Sequence, residues 1–302
     1  MSEEGISRSG FVAIVGRPNV GKSTLLNALL GQKVSIVTRK PQTTRHRIVG
    51  VHNLGDTQIV YVDTPGMHRE EKRMMNRYLN QAAAQALADV DAVVLVVDAR
   101  RWTDEDEMVL ERLEGVTAPV LLAVNKVDRI PQKETLLPLM DRLAARRDFA
   151  AVVPLSAARG VNLEALEEEI AALMPSGPAL FPEDQVTDRS ERFMAAELVR
   201  EQLMTALGEE LPYATTVEIE AFEEEGRLRR IAAVVWVERP GQKRIVIGEG
   251  GQRLKHVGKG ARKEMERLFD ARVYLKLWVK VREGWSDDAR ALRSLGYDES
   301  GS

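Results

Sequence analysis

From Phe11 onward the chain repeats one pattern: an apolar run, a polar turn, then a segment with apolar positions at helical spacing. FVAIVG predicts a strand, and Lys22 to Leu30 a helix that Gly31 ends as its C-cap residue. Further strands are predicted over Ile48 to His52, Thr57 to Val62, Ala92 to Asp98, Val120 to Asn125 and Ala151 to Leu155, with helices over Arg73 to Ala88, Glu105 to Glu114, Glu134 to Arg147 and Leu163 to Leu173. Strands alternating with helices imply a mostly parallel sheet flanked by helices, an α/β domain over 8–174. The periodicity then stops at MPSGPALFPEDQ, where prolines make a continuous element improbable, so 175–190 is expected to be a linker with a hinge at Pro175 to Pro182. The order changes after it. A helix (Glu191 to Leu207), two strands (Thr216 to Phe222 and Arg229 to Val237), a strand-like apolar run into a glycine-rich turn, a helix (Lys259 to Phe269) and a strand (Arg272 to Val281) predict an α+β domain over 191–285. In the last strand VYLKLWVKV is expected to be mainly core, with Trp278 packed inside. The tail, 286–302, is expected to form a small cap with Trp285, Leu292, Leu295 and Tyr297.

Composition narrows the chemistry. With 302 residues and 44% apolar content there is enough chain for two cores, and with few aromatics these must be built from Val, Leu, Ile and Ala. The absence of cysteine excludes disulfides, thiolate metal sites and cysteine nucleophiles. No window approaches the roughly 18 apolar residues of a membrane span, and MSEEGISRSG reads as a short solvated arm. Charge is segregated: Arg227 to Glu283 holds 16 Lys/Arg against 6 Asp/Glu, a balance of +10 in a chain of formal net charge −3. A basic domain joined to an acidic one is expected where one part meets a polyanion.

GRPNVGKS, from Gly16 to Ser23, lies between a predicted strand and helix, the context in which backbone N–H groups wrap phosphates at a helix N-terminus. Gly16, Asn19, Val20, Gly21 and Thr24 belong to this cradle, Lys22 supplies a point charge to the outer phosphates, and Ser23 can ligate magnesium. NKVD ends an apolar strand with Asn125, Lys126 and Asp128. The Asp128 carboxylate can accept from the guanine ring N–H and amino group together, a donor pair that adenine lacks. In SAARG, Ser156, Ala157 and Ala158 follow the next strand, and the Ala157 N–H is expected at the guanine oxygen. DTPG closes the strand TQIVYVD, placing Asp63 to hold magnesium through water and the Gly66 N–H to sense the γ-phosphate. In the polar stretch KPQTTRHRIVG, Thr44 is the favoured magnesium ligand and Thr43 the alternative. Lys22, Thr44, Gly66 and Asn19 are the candidate catalytic positions. No general base is assigned to His46 or His68, since phosphoryl transfer rests mainly on positioning and charge stabilisation.

VIGEGGQRLKHVG carries Gly248, Glu249, Gly250 and Gly251, a GXXG turn before a basic helix, as in the clamp that grips about four nucleotides in KH domains. Lys243, Arg244, Ile247, Arg253, Lys255 and Lys259 flank it as candidate RNA contacts. Glu249 is an adverse charge beside phosphates. Arg262 and Arg267, farther along the helix, are expected on a solvated face.

The segments GRPNVGKS, QTTRH, DTPG, NKVD and SAA resemble, in sequence and order, the guanine-nucleotide loops of the translation-associated small GTPases (TrmE-Era-EngA-like). Combined with the glycine-rich basic domain, the chain is similar over nearly its whole length to the ribosome-assembly members of that group, the Era family. The resemblance implies a P-loop GTPase domain followed by a type II KH domain, use of GTP/GDP with Mg2+, slow intrinsic hydrolysis, and binding at the 3′ end of small-subunit ribosomal RNA during 30S assembly and 16S maturation. It also implies a cytoplasmic monomer with peripheral association at the inner membrane. Met67 stands after DTPG, where Ras-like proteins place a water-orienting glutamine, and a thioether cannot do that work. Era-like proteins share this apolar replacement, and the resemblance implies a potassium ion at Asn19 that supplies charge instead. Two rivals follow from the same residues: an RNA-binding module with a decayed nucleotide domain, and a membrane-remodelling or transport GTPase. The intact set Lys22, Ser23, Asp63, Asn125 and Asp128 argues against the first, and the lack of an apolar or lipid-binding insert against the second.

Overall fold

A computed structural model describes residues 5–66, 74–208, 211–295 and Tyr297. Met67 and His68 lie outside the described residues. The chain divides into two compact units, the first comprising 1–35, 44–70 and 79–188, the second 36–43, 71–78 and 189–302.

In the first unit β1 (Arg8–Val15), β2 (Ile48–Leu54), β3 (Thr57–Asp63), β4 (Ala92–Asp98), β5 (Val120–Asn125) and β6 (Ala151–Pro154) form one sheet in the order β2-β3-β1-β4-β5-β6. Only β2 runs antiparallel to its neighbour, β3; the other pairs are parallel. Helices α1 (Lys22–Leu29), α2 (Met74–Gln85, of which Leu79 onward groups with this unit), α3 (Asp104–Arg112), α4 (Leu136–Ala144) and α5 (Leu163–Leu173) connect the strands. The continuous apolar runs are explained by burial on both faces. Val12, Ile14, Val94 and Val96 pack with Leu25 of α1 and Leu166 of α5, whereas Ala13, Val15, Val93 and Leu95 pack with Val109 of α3 and Leu143 of α4. Trp102, before α3, donates its indole N–H to Glu107 at 2.8 Å.

The stretch expected to hinge is tethered along this unit. Gln58 accepts from the Leu180 and Phe181 N–H groups at 2.7 and 2.9 Å and donates to the Phe181 carbonyl at 2.9 Å. Thr187 pairs across to Gly50, so the division between the units falls between Asp188 and Arg189.

The second unit contains α6 (Glu191–Ala206), β7 (Thr215–Glu225), β8 (Leu228–Val237), α7 (Pro240–Ile247), α8 (Gln252–Leu268), β9 (Arg272–Val281) and α9 (Ala289–Ser294). Its sheet has the order β7-β8-β9, with β7 antiparallel and β9 parallel to β8. The strand-like apolar run before the GXXG turn is helical, not extended. Pro240 at the helix start and Gln242, which accepts from the Glu238 and Arg239 N–H groups, nucleate α7 there. Leu198, Val199, Ile231, Val235, Val257, Ala261 and Met265 share the core. Where α6 meets α8, a Cβ on Gly260 would stand 2.3 Å from Gln202 Oε1, so any larger residue there would have to displace the Gln202 side chain.

Trp285, Leu292 and Tyr297 are buried, and the Tyr297 hydroxyl lies 3.0 Å from Thr216 Oγ1. Trp278 corrects the expectation of a packed side chain: β9 alternates, and its outward position leaves Trp278 43% exposed.

Candidate functional site

The phosphate loop joins β1 to α1. Lys22 is buried, and its ammonium donates to the Gly16 and Arg17 carbonyls at 2.9 and 3.1 Å. Burial lowers its pKa to about 8, with the Asp63 carboxylate opposing the shift. The loop is braced from a distance: Arg17 Nε donates to Asp106 Oδ2 at 2.8 Å, both side chains buried, and Asp106 also accepts from Thr103 at the start of α3. Asn19 is exposed at positive φ (63°), and its carbonyl accepts from Lys126 Nζ at 2.5 Å.

Ser23, Thr44 and Asp63 converge. Ser23 Oγ lies 2.8 Å from Thr44 Oγ1 and donates to Asp63 Oδ2 at 2.7 Å, while Thr44 Oγ1 is 3.4 Å from the same oxygen and Ser35 Oγ 3.1 Å. Asp63 is fully buried, and burial raises its pKa even though Lys22 and the three hydroxyls favour the carboxylate. Its Oδ1 is buried without a hydrogen-bond partner. An orphaned carboxylate oxygen beside two hydroxyls is a donor set that suits a hard divalent cation such as Mg2+. DTPG is fixed to the sheet by Thr64 Oγ1 on the Ile14 carbonyl at 2.9 Å. A Cβ on Gly66 would stand 2.9 Å from Pro18 Cγ, so Gly66 reaches the phosphate loop because it lacks one.

The segments expected to read the base come from the ends of β5 and β6. Asn125 Nδ2 donates to the Val20 carbonyl at 2.9 Å, which ties NKVD to the phosphate loop. Asp128 Oδ1 accepts from Ser156 Oγ at 2.6 Å, so one lone-pair site orients the carboxylate and others remain for a base edge. The Ala157 N–H, expected at the guanine oxygen, donates to Asn125 Oδ1 at 3.0 Å, so it can meet that oxygen only by sharing this bond. Ala158 follows in the same turn. One member escaped sequence reading: Asp98 at the end of β4. It accepts from Arg100 Nε and Nη2 at 2.9 and 2.6 Å and from Lys126 at 3.0 Å. Burial pushes its pKa up, yet the Arg100 and Lys126 bonds hold it far below the usual carboxylate range. Its signal was positional, a carboxylate closing an apolar strand beside the phosphate-loop strand.

In the second unit the GXXG turn lies between α7 and α8. Gly248, Gly250 and Gly251 have φ of 75°, 54° and 77°, and Gly251 is the N-cap of α8. A groove of 630 Å³ opens beside it, with an apolar floor of Leu254, Val273, Leu275 and Leu277 and a basic rim of Lys255, Lys259 and Arg262. Arg262 is exposed, as expected, and also lines the groove, because α8 runs unbroken from Gln252 and carries it one turn beyond Gly258. The other candidates scatter. Ile247 packs against the core, Lys243 and Arg244 lie on α7, Glu249 is exposed in the turn, and the Arg253 guanidinium folds back onto the Ile245 carbonyl.

The phosphate loop between β1 and α1 and the GXXG turn between α7 and α8 define a GTP-binding protein of the P-loop class carrying a KH domain. Family models agree: one described as 50S ribosome-binding GTPase matches residues 11–126, and one described as KH domain matches 210–286. The chain belongs to the GTPase Era family, proteins that bind and hydrolyse GTP. It is 59% identical over 293 residues to GTPase Era of Pseudomonas aeruginosa (strain LESB58), covering 97% of this chain and 96% of that protein. It is 58% identical over 299 residues to GTPase Era of Pseudomonas putida (strain W619), covering 99% and 100%. Among solved structures, a variant of Aquifex aeolicus Era bound to GDP.AlF4- matches with TM-score 0.93 at 40% identity, covering 96% of this chain and 99% of that one. Era in complex with MgGDPNP and nucleotides 1506–1542 of 16S ribosomal RNA matches with TM-score 0.93 at 39% identity and the same coverage.

Proposed function

We propose that this protein is a GTP-driven switch that binds 16S ribosomal RNA near its 3′ end and acts in small-subunit assembly and maturation of that RNA. The observation that carries the reading is an open apolar groove with a basic rim at the GXXG turn, on a chain that also pairs Ser23 with Asp63 and Ser156 with Asp128. Backbone at the turn can approach phosphates, Lys255, Lys259 and Arg262 neutralise them, and the floor takes bases. Related Era bound to 16S nucleotides supports the choice of RNA.

Hydrolysis follows from position and charge. Lys22 turns from the loop carbonyls to the β- and γ-phosphates, the Gly66 N–H meets the γ-phosphate, and Asp128 fixes the base and hence the register of the whole nucleotide. Ser23 and Thr44, with Asp63 acting through water, would hold Mg2+, which supplies charge neutralisation at the transferring phosphoryl group. The exposed Asn19 side chain on the phosphate loop is proposed to ligate K+. Asn19→Ala is then expected to flatten the potassium dependence of GTP turnover, about tenfold in the parent, the scale of one lost transition-state contact; a titration in KCl against NaCl that keeps its full slope would remove potassium from the site.

The protein is proposed to work in the cytoplasm as a monomer. Among the described residues no helix is long and apolar enough to cross a membrane, so association with the inner membrane would be peripheral. The deciding measurement is affinity for a 16S 3′-end oligonucleotide with a GTP analogue, with GDP and without nucleotide. At least a tenfold difference between the first two is expected; equal affinity in all three, with turnover intact, would refute the switch.

A further inference from the structure

Within the first unit, the sheet brings one acidic side chain against the segment expected to read the base. β4 and β5 run parallel in register, so Asp98 stands beside Asn125, and the Ala99 N–H donates to the Asn125 carbonyl at 2.8 Å. Neighbouring strands lie only about 4.8 Å apart, which puts the Asp98 side chain within reach of Lys126, the residue that follows β5.

The Asp98 side chain is 2% exposed, and both its oxygens are engaged. Oδ1 accepts from the Arg100 backbone N–H at 3.0 Å and from Arg100 Nε at 2.9 Å, while Oδ2 accepts from Arg100 Nη2 at 2.6 Å and from Lys126 Nζ at 3.0 Å. The guanidinium fork fixes the plane of the carboxylate, and the backbone bond two residues on fixes its rotation. One oxygen is thereby presented to Lys126 at a set position.

Lys126 joins this carboxylate to the phosphate loop. It stands at φ 68°, a left-handed conformation uncommon for a residue with a side chain. Its stem passes Gly21, where a Cβ would stand 3.9 Å from Lys126 Cε, and its ammonium donates to the Asn19 carbonyl at 2.5 Å. Burial lowers the Lys126 pKa, and the bond to Asp98 and the charge of Asp98 oppose that shift. Without Asp98 the half-buried ammonium would keep a neutral carbonyl as its partner on the loop and lose the anion that balances it.

We infer that Asp98 is a positioning residue for the bound guanine nucleotide: held by Arg100, it sets where Lys126 stands against the phosphate loop and so how long the nucleotide stays bound. Its role runs through Lys126 and not through a contact of its own. The inference rests on the reading of Lys126 as a nucleotide-binding residue. Asn125 ties the same segment to the Val20 carbonyl independently, so loss of Asp98 loosens one link and leaves the other in place.

The test is a cycle of the full-length parent, Asp98→Asn, Lys126→Ala and the double variant, read by stopped-flow release and association of fluorescent GDP. Asparagine keeps the shape of the side chain and an acceptor for the Arg100 backbone, but it withdraws the charge from Lys126. Release is expected to be about tenfold faster in Asp98→Asn, with the association rate within about twofold of the parent, because the loss of one charge-assisted bond falls mainly on the off-rate. In the Lys126→Ala background the same substitution is expected to change release by less than about twofold, since the residue it acts through is gone. Parental release in Asp98→Asn beside fast release in Lys126→Ala overturns the inference. So does an equal acceleration in both backgrounds, which would show that Asp98 acts on the fold and not on Lys126. If Lys126→Ala itself releases GDP at the parental rate, the reading of Lys126 falls and Asp98 with it. Should Asp98→Asn melt below the assay temperature, Asp98→Glu, which keeps the charge and shifts its oxygens by one methylene, takes its place in the cycle, and the difference between the two backgrounds decides.

Discussion

Asp128→Asn is expected to weaken GDP binding by about a thousandfold and to make xanthosine diphosphate the better ligand. A carboxylate pairing with two guanine donors contributes charge-assisted bonds of about 1.5–3 kcal/mol each, and the amide loses one acceptor and presents a donor where guanine also donates. Xanthine replaces the amino group by a carbonyl and so complements the amide. Ser156 Oγ, 2.6 Å from Asp128 Oδ1, can bond to the amide oxygen equally well, so the fold of the turn is retained. Competition of GDP and xanthosine diphosphate for the same site measures the inversion, and an unchanged guanine preference would show that Asp128 does not read the base.

Gly251→Asp is expected to lower RNA affinity by about thirtyfold to a hundredfold while GDP affinity stays within twofold, a loss of the size produced by one adverse charge and a strained clamp. Space is not the cause, since a Cβ at Gly251 meets nothing within 4 Å. The conformation is, because φ of 77° favours glycine, and a carboxylate would face the phosphates that the turn is built to approach. Gly251→Asn separates the two effects: asparagine has nearly the shape and backbone preference of aspartate but no charge, so it should recover the part of the affinity that the charge removes. Filter binding of a 16S 3′-end oligonucleotide to both variants reads this directly, and equal losses in the two would place the whole effect in the backbone.

The nucleotide loops were legible because each motif is a strict spacing tied to one chemical task at a strand end, and the sheet brings those ends together by its parallel order. Lys22, Ser23, Asp63, Asn125 and Asp128 could be singled out for that reason, and the fold brings Ser23 onto Asp63 and Ser156 onto Asp128. Long-range pairs had no such signal. Arg17 with Asp106 and Arg200 with Thr43 are joined by packing across 89 and 157 residues of chain, and no local pattern connects them. Helix α7 was misread because a short apolar run fits a strand or a helix equally well; Pro240 and Gln242 were the available clue. The tether of the linker had no local signal either. Prolines forbid a helix but not a tether, and Gln58 binds the Leu180 to Phe181 backbone from a strand far upstream. Trp278 shows the same limit on the outer side of a sheet, where alternation tells which positions share a face but not which face is covered.

The tryptophans have a practical consequence. Trp236, Trp278 and Trp285 all belong to the second unit, and Trp102 is the only one in the first. Trp285 sits in a dry environment and Trp278 in a wet one, so loss of the C-terminal cap should shift the emission to the red, whereas events confined to the nucleotide half reach the spectrum through one indole. A Trp102→Phe protein would therefore carry tryptophan only in the second unit, and its fluorescence would report the melting of that unit alone.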